Sequence, residues 1–233
     1  MKYRAVLFDL DGTLLPMDLD EFTKNYFGAI AKWLAPYGYD PQKTVDSILK
    51  GSYAMIKNNG EKCNEQVFWE DFEGRMGKMD REVFDAFYRE QAPRLMVFCG
   101  YDPRAREAVD TVCASGALAV LATNPMFPPA FTNMRAEKAG LALDQLALIT
   151  TYENSRHCKP NPAYYQDILD ELGLSPEDCL MVGNDVEEDM IPAASLGMDT
   201  FLLTPWLLNK KDRDISAYPN GDFDALLAFL RGE

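Results

Sequence analysis

The chain predicts an α/β fold, a doubly wound parallel sheet interrupted early by an inserted all-helical domain, and three observations predict it. The first is an apolar run, Ala5-Val6-Leu7-Phe8, that breaks into two carboxylates and a glycine turn, Asp9-Leu10-Asp11-Gly12-Thr13-Leu14. The second is the stretch from about residue 18 to about residue 92, which has no strand pattern but carries aromatic and aliphatic residues at helical spacing. The third is a regular alternation of helical and strand-like runs from Asp102 onward, as parallel strands joined by helical crossovers produce.

In chain order, the opening run reads as a buried strand. Side chains two apart on an extended chain share a face, so Asp9 and Asp11 should point into one pocket at the strand's C-terminal end, where open parallel sheets place their ligands. The helical insert follows, with Phe22, Tyr26, Ile30, Trp33 and Leu34 along its first helix. Breaks near Tyr37-Gly38, Asn58-Asn59-Gly60 and Met76 to Asp80 divide it into three or four helices. Further strands are expected at 117–123, 146–150, 179–183 and 199–203, and helices at 103–115, 127–139, 162–173, 187–196 and 222–230. Asn161 caps the third of these helices, with Pro162 at its first position. The polar stretch Thr204 to Gly221, with two prolines, reads as a surface loop. The domain division is therefore a discontinuous core, 1–15 and 96–233, with an insert at 16–95.

Composition narrows the function classes. A chain of 233 residues with 47% hydrophobic content can bury a substantial core. Its net charge of −14 argues against nucleic acid or an anionic membrane as partner, since both call for clustered Lys and Arg. The five cysteines, Cys63, Cys99, Cys113, Cys158 and Cys179, are scattered without a CxxC, so a disulfide framework or zinc site is not expected. No segment approaches a membrane span, and the opening apolar run, cut by Asp9 and Asp11, lacks signal-peptide design. A cytoplasmic location is the expectation.

Three further stretches supply chemistry that the opening pair lacks. Leu118 to Ala122 is a buried strand ending in Thr123-Asn124-Pro125, a hydroxyl and an amide that alone would be an ordinary turn. Lys159 stands in Cys158-Lys159-Pro160-Asn161-Pro162, where a lone lysine is usually a solvated charge. His157 shows no partner at metal or triad spacing and reads as a loop residue. The third stretch is Cys179-Leu180-Met181-Val182-Gly183-Asn184-Asp185-Val186-Glu187-Glu188-Asp189, in which Asp185 is placed to cap a helix and Asp189 lies one turn on. By itself, it could be an acidic helix start complementing the helix dipole.

Taken in order, these four stretches resemble the signature set of the haloacid dehalogenase-like (HAD) superfamily, whose members are mostly phosphatases. Asp9, Asp11, Gly12 and Thr13 match the first motif, DxDGT; Thr123 matches the second, a strand-ending Thr or Ser; and Lys159 matches the third. Gly183, Asp185 and Asp189 match the acidic fourth motif, with Asn184 inserted between the glycine and the first aspartate as a departure from the pattern. The resemblance implies a Rossmann-like HAD core and makes the insert a type 1 helical cap over the strand ends. The short spacing from Thr123 to Lys159 leaves no room for a large second cap.

The resemblance also implies the chemistry. Asp9 would attack phosphorus to give an aspartyl-phosphate, and Asp11 would serve as general acid and then general base. Thr123, Asn124, Lys159 and the Gly12-Thr13 turn would bind the phosphoryl group. Mg²⁺ would be held by Asp9, Asp11 through its backbone carbonyl, and Asp185, with Asp189 grouped alongside. The expected reaction is hydrolysis of a small phosphorylated metabolite, of sugar-phosphate or mononucleotide size. Alternatives are a sugar-phosphate mutase, a phosphonatase with a cap lysine such as Lys50 or Lys57, and a non-catalytic phosphate-binding protein on the same fold. A dehalogenase would leave Asp11 and Asp185 without purpose. Phe22, Tyr26, Tyr53, Asn58 and Trp69 are candidate pocket residues in the insert.

Overall fold

The opening apolar run is strand β1 (Ala5–Phe8) in a computed structural model that describes residues 1–233, and all four of its residues are buried. Val6 and Phe8 enter one hydrophobic core and Ala5 and Leu7 the other, so helices must cover both faces of the sheet. The remaining strands are β2 (Leu118–Leu121), β3 (Leu146–Ile149), β4 (Cys179–Gly183), β5 (Asp199–Leu203) and β6 (Asn220–Gly221). Their order is β3-β2-β1-β4-β5-β6, with every pairing parallel. The chain moves outward through β2 and β3, then returns to the far side of β1 with β4. That reversal opens a crevice at the carboxyl ends of β1 and β4.

Four helices form the insert: α1 (Leu19–Leu34), α2 (Pro41–Ile56), α3 (Asn64–Met76) and α4 (Arg81–Glu90). Asp18, Asp40 and Asp80 cap the first, second and fourth, each accepting a backbone amide from the first turn. The expected breaks fall between them. Gly60 is required at its turn on two counts: its φ is +86°, and a Cβ there would sit 2.6 Å from the His157 ring. The core helices are α5 (Pro103–Ala114), α6 (Pro129–Lys138), α7 (Pro162–Leu172), α8 (Ile191–Ser195) and α9 (Phe223–Arg231).

Two expectations need correction. The helix expected over 187–196 is a π-helical turn, Val186–Met190, running into the short α8. Pro192 has no amide to donate to the Glu188 carbonyl, which accepts the Tyr165 hydroxyl at 2.7 Å instead. The loop expected over 204–221 ends in β6, which pairs with Leu202 and Leu203. A two-residue strand reading Asn-Gly has no periodicity to betray it.

The insert sits over the carboxyl ends of the strands. Its entry and exit run side by side, Met17 bridging Cys99 and the Gly100 amide donating to the Pro16 carbonyl at 2.6 Å. The start of α3 docks on the core. Asn64, fully buried, donates to the Cys158 sulfur and the His157 carbonyl at 3.3 Å and to the Pro125 carbonyl at 3.4 Å, while its amide reaches the Ser155 carbonyl at 2.8 Å. No helix is long and apolar enough to cross a membrane. Asn64→Ala would strand those buried acceptors, and should cost about 1–3 kcal/mol of stability, read as a lower urea midpoint with the m-value unchanged.

Candidate active site

Asp9 is the first residue beyond β1, and its amide still donates to the Val182 carbonyl of β4 at 2.9 Å, so the sheet register fixes its backbone. Its side chain is held by one donor on each oxygen. Lys159 Nζ lies 2.9 Å from Oδ1, and Thr13 Oγ1 lies 2.9 Å from Oδ2. The Thr13 hydroxyl is also 3.0 Å from Asn184 Oδ1, so its single proton serves two acceptors. Gly12 turns the chain between them at φ +82°, and a Cβ there would fall 2.3 Å from Asn184 Nδ2.

Lys159 is 1% exposed and bridges two carboxylates, with Asp189 Oδ1 at 2.7 Å on its other side. Burial alone would lower its pKa, but Asp189 and Asp9 together carry it well above the usual lysine value. The sequence reading grouped Asp189 with the metal residues. The structure corrects this: Asp189 Oδ1 is taken by Lys159, and Oδ2 accepts the Asn184 and Asp185 amides at 3.1 and 3.0 Å. Gly183 makes the room, since a Cβ there would overlap the Asp189 carboxylate. Asp189 thus holds Lys159 and the two loop amides, and it lines the same cavity as Asp9 and Asp185.

Asp185 occupies the helix-capping position expected of it, Oδ1 accepting the Glu187 and Glu188 amides at 2.7 and 3.0 Å, while Oδ2 has no partner in the chain. Thr123 is buried at the end of β2, its carbonyl accepting Thr150 Oγ1 at 2.7 Å and the Tyr164 hydroxyl at 2.9 Å, its own hydroxyl unpaired. Asn124, read as a phosphate ligand, donates instead to Glu188 Oε2 at 3.0 Å and keeps a buried, unpartnered Oδ1. Burial pushes the Glu188 pKa up, and Asp185 and Asp9 push it further, against Lys159 and Asn124.

Asp11 has a partner the sequence reading missed. Its Oδ2 pairs with the Arg135 guanidinium of α6, and its Oδ1 is buried without a partner. Arg135 is 1% exposed and lies over the rings of Phe127 and Phe131, 4.7 and 5.1 Å from their centroids. Phe131 and Arg135, four apart, share one face of α6, and Phe127 precedes that helix by two residues. Burial raises the Asp11 pKa most, Asp9 adds to it, and Arg135 opposes both.

Asp9, Asp11, Thr123 and Asp185 line one cavity of about 340 Å³ between core and insert. Of the candidate pocket residues, Phe22, Tyr26 and Trp69 line it. Tyr53 is exposed, and Asn58 is tied to Asn64 and the Lys62 carbonyl. No group of three His, Cys, Asp or Glu side chains is arranged to hold a metal. The cavity does offer two carboxylates, Asp9 and Asp185, and the Asp11 carbonyl, which accepts no backbone amide. That donor set fits Mg²⁺, which takes one or two carboxylates and fills its octahedron with water and phosphate oxygens.

Comparison with known proteins gives one family. The family model described as haloacid dehalogenase-like hydrolase matches residues 3–197. A pyrophosphatase PpaX of Bacillus velezensis is 23% identical over 190 residues, 81% of this chain and 78% of that protein. Among solved structures, a HAD phosphatase from Thermococcus onnurineus superposes with a TM-score of 0.61 at 19% identity over 99% of both chains. An L-2-haloacid dehalogenase reaches the same TM-score at 17% identity over 99% and 100%. At these identities, the structures attest the fold.

Replacing Lys159 by Met should strand two buried carboxylates and cost about 3–5 kcal/mol. Burial already raises the Asp189 pKa to about 7, and loss of the ammonium raises it further. Stability lost through a raised carboxylate pKa returns as pH falls through that pKa, so the deficit should narrow as pH falls from the alkaline side toward about 7 and level off below it, where Asp189 is protonated in both proteins, in urea titrations of both.

Proposed function

The chain belongs to the haloacid dehalogenase-like hydrolases, and from that premise we propose that it is a Mg²⁺-dependent phosphatase acting on a small phosphorylated metabolite through an aspartyl-phosphate. The observation that carries the reading is the pair Asp9 and Asp11 on one cavity, the first held by Lys159 and Thr13 and the second buried with a raised pKa. A dehalogenase needs only the first of these carboxylates. A phosphonatase would need a lysine over the site, and neither Lys50 nor Lys57 lines the cavity. The five free cysteines fit a reducing compartment, and we place the protein in the cytoplasm.

Asp9, through one carboxylate oxygen, forms a bond to phosphorus as the bond from phosphorus to the leaving oxygen breaks. Asp11 gives its proton to that oxygen and releases the alcohol. Burial favours the protonated form this step needs. Asp11 then takes a proton from water as the water oxygen attacks phosphorus, freeing Asp9 and inorganic phosphate. Lys159 and the unpaired Thr123 hydroxyl donate to phosphoryl oxygens while charge shifts toward the leaving group. Mg²⁺ bound by Asp9, Asp185 and the Asp11 carbonyl supplies neutralising charge for the approach of a carboxylate to a phosphate dianion.

Asp9→Asn should lower turnover of para-nitrophenyl phosphate by about a thousandfold or more while the far-UV spectrum is unchanged, because an amide is near-isosteric but no nucleophile. Retention of a tenth of the rate would exclude covalent catalysis at Asp9. Asp11→Asn should release one equivalent of nitrophenol in a burst and then stall, since that leaving group needs no proton but the second step needs a base. EDTA should abolish turnover and Mg²⁺ restore it; full activity in EDTA would remove the metal from the reading.

A further inference from the structure

We propose that the substrate's leaving group is apolar and ring-bearing. This inference rests on the phosphatase reading and deepens it. With phosphate placed at Asp9 and Thr123, the remainder of the cavity extends toward the insert. The wall it meets there is built from α1, α2, α3 and α4 and is aromatic: Phe22, Tyr26, Phe68, Trp69, Phe84 and Tyr88.

Charge on that wall is limited to Asp85, and no Lys or Arg of the insert lines the cavity. Of the core's cations, Arg135 lines the cavity, pairs with Asp11 through one nitrogen and lies over two aromatic rings while its Nε and Nη2 are buried without a partner, and Lys210 lies exposed at the mouth. A carboxylate or second phosphate set against the insert's wall would be desolvated against rings and a like charge, Asp85. Sugar hydroxyls fare little better. The Tyr26 and Tyr88 hydroxyls share one hydrogen bond at 2.9 Å, which leaves one phenolic proton besides Thr23 and Ser52 as uncharged hydroxyl partners on the wall. An aromatic ring needs none of these partners and can pack edge-to-face among those already present. The sequence reading expected sugar-phosphate or mononucleotide size; the cavity wall keeps the size and changes the chemistry.

The test compares alcohols of similar leaving ability, so that intrinsic reactivity does not decide the ranking. With purified protein and Mg²⁺, kcat/KM for 2-phenylethyl phosphate should exceed that for phosphoglycolate and for glucose 6-phosphate by about a hundredfold. Equal or reversed ranking overturns the proposal. Leu49 lines the cavity and is half exposed, so Leu49→Lys should fold and place an ammonium on the wall. That variant should raise the phosphoglycolate to 2-phenylethyl phosphate ratio several-fold; an unchanged ratio also counts against the proposal. Para-nitrophenyl phosphate reads the phosphatase reaction separately. Should no phosphomonoester be hydrolysed, that reaction falls, and calorimetry with 2-phenylethylphosphonate and phosphonoacetate still decides the wall: tighter binding of the first supports it, and tighter binding of the second overturns it.

Discussion

Lys159 between Asp9 and Asp189 is the interaction on which the rest of the site depends. A carboxylate in a nearly dry crevice is costly unless a cation stands against it, and a buried lysine is costly for the same reason. Each stabilises the charged form of the other. Asp189 in turn is fixed by two backbone amides at the end of β4 and by the space that Gly183 leaves. Asp9 is fixed by the register of β1 against β4 through its amide. The parallel pairing of two central strands thus sets, within a hydrogen bond's tolerance, where a nucleophile and its counter-cation meet.

Asn184 shows how a departure from the family pattern is absorbed. Its amide nitrogen donates to the Trp206 carbonyl at 2.7 Å, its oxygen sits 3.0 Å from the Thr13 hydroxyl, and its side chain packs into the gap above Gly12. The additional residue ties the turn after β1 to the loop after β5. It also leaves Asp185 with its capping bonds, while Asp189, which lines the cavity as well, takes Lys159.

What sequence made legible follows from how local each signal is. β1 and β4 are buried on both faces and read as continuous apolar runs, and the chemistry begins where each run stops. The insert's helices were visible because aromatic and aliphatic residues recur at helical spacing and breaks near Tyr37-Gly38, Asn58-Asn59-Gly60 and Met76 to Asp80 separate them; the aspartate caps are seen only in the structure. The role of Asp189 was not legible, since spacing of four from Asp185 shows that the two are near each other but not which way either carboxylate turns. Arg135 was missed for a different reason. Its helical spacing with Phe131 reads as a packed face, and only the tertiary fold brings that face to Asp11. The π turn depends on Tyr165 from another helix, which no local window contains.

Floor and wall of the cavity have opposite chemistry, and the contrast itself serves the reaction. The floor concentrates titratable groups in fixed positions; the wall contributes rings that offer few orientable dipoles to screen them. Closing one over the other strengthens each charge interaction on the floor, including those that form only as the phosphoryl group moves. The Asn64 contacts to the core hold the insert in that closed arrangement. Because they lie at one end of α3 and the paired links at Met17 and Cys99 lie at the other side of the insert, the two attachments brace it across the cavity.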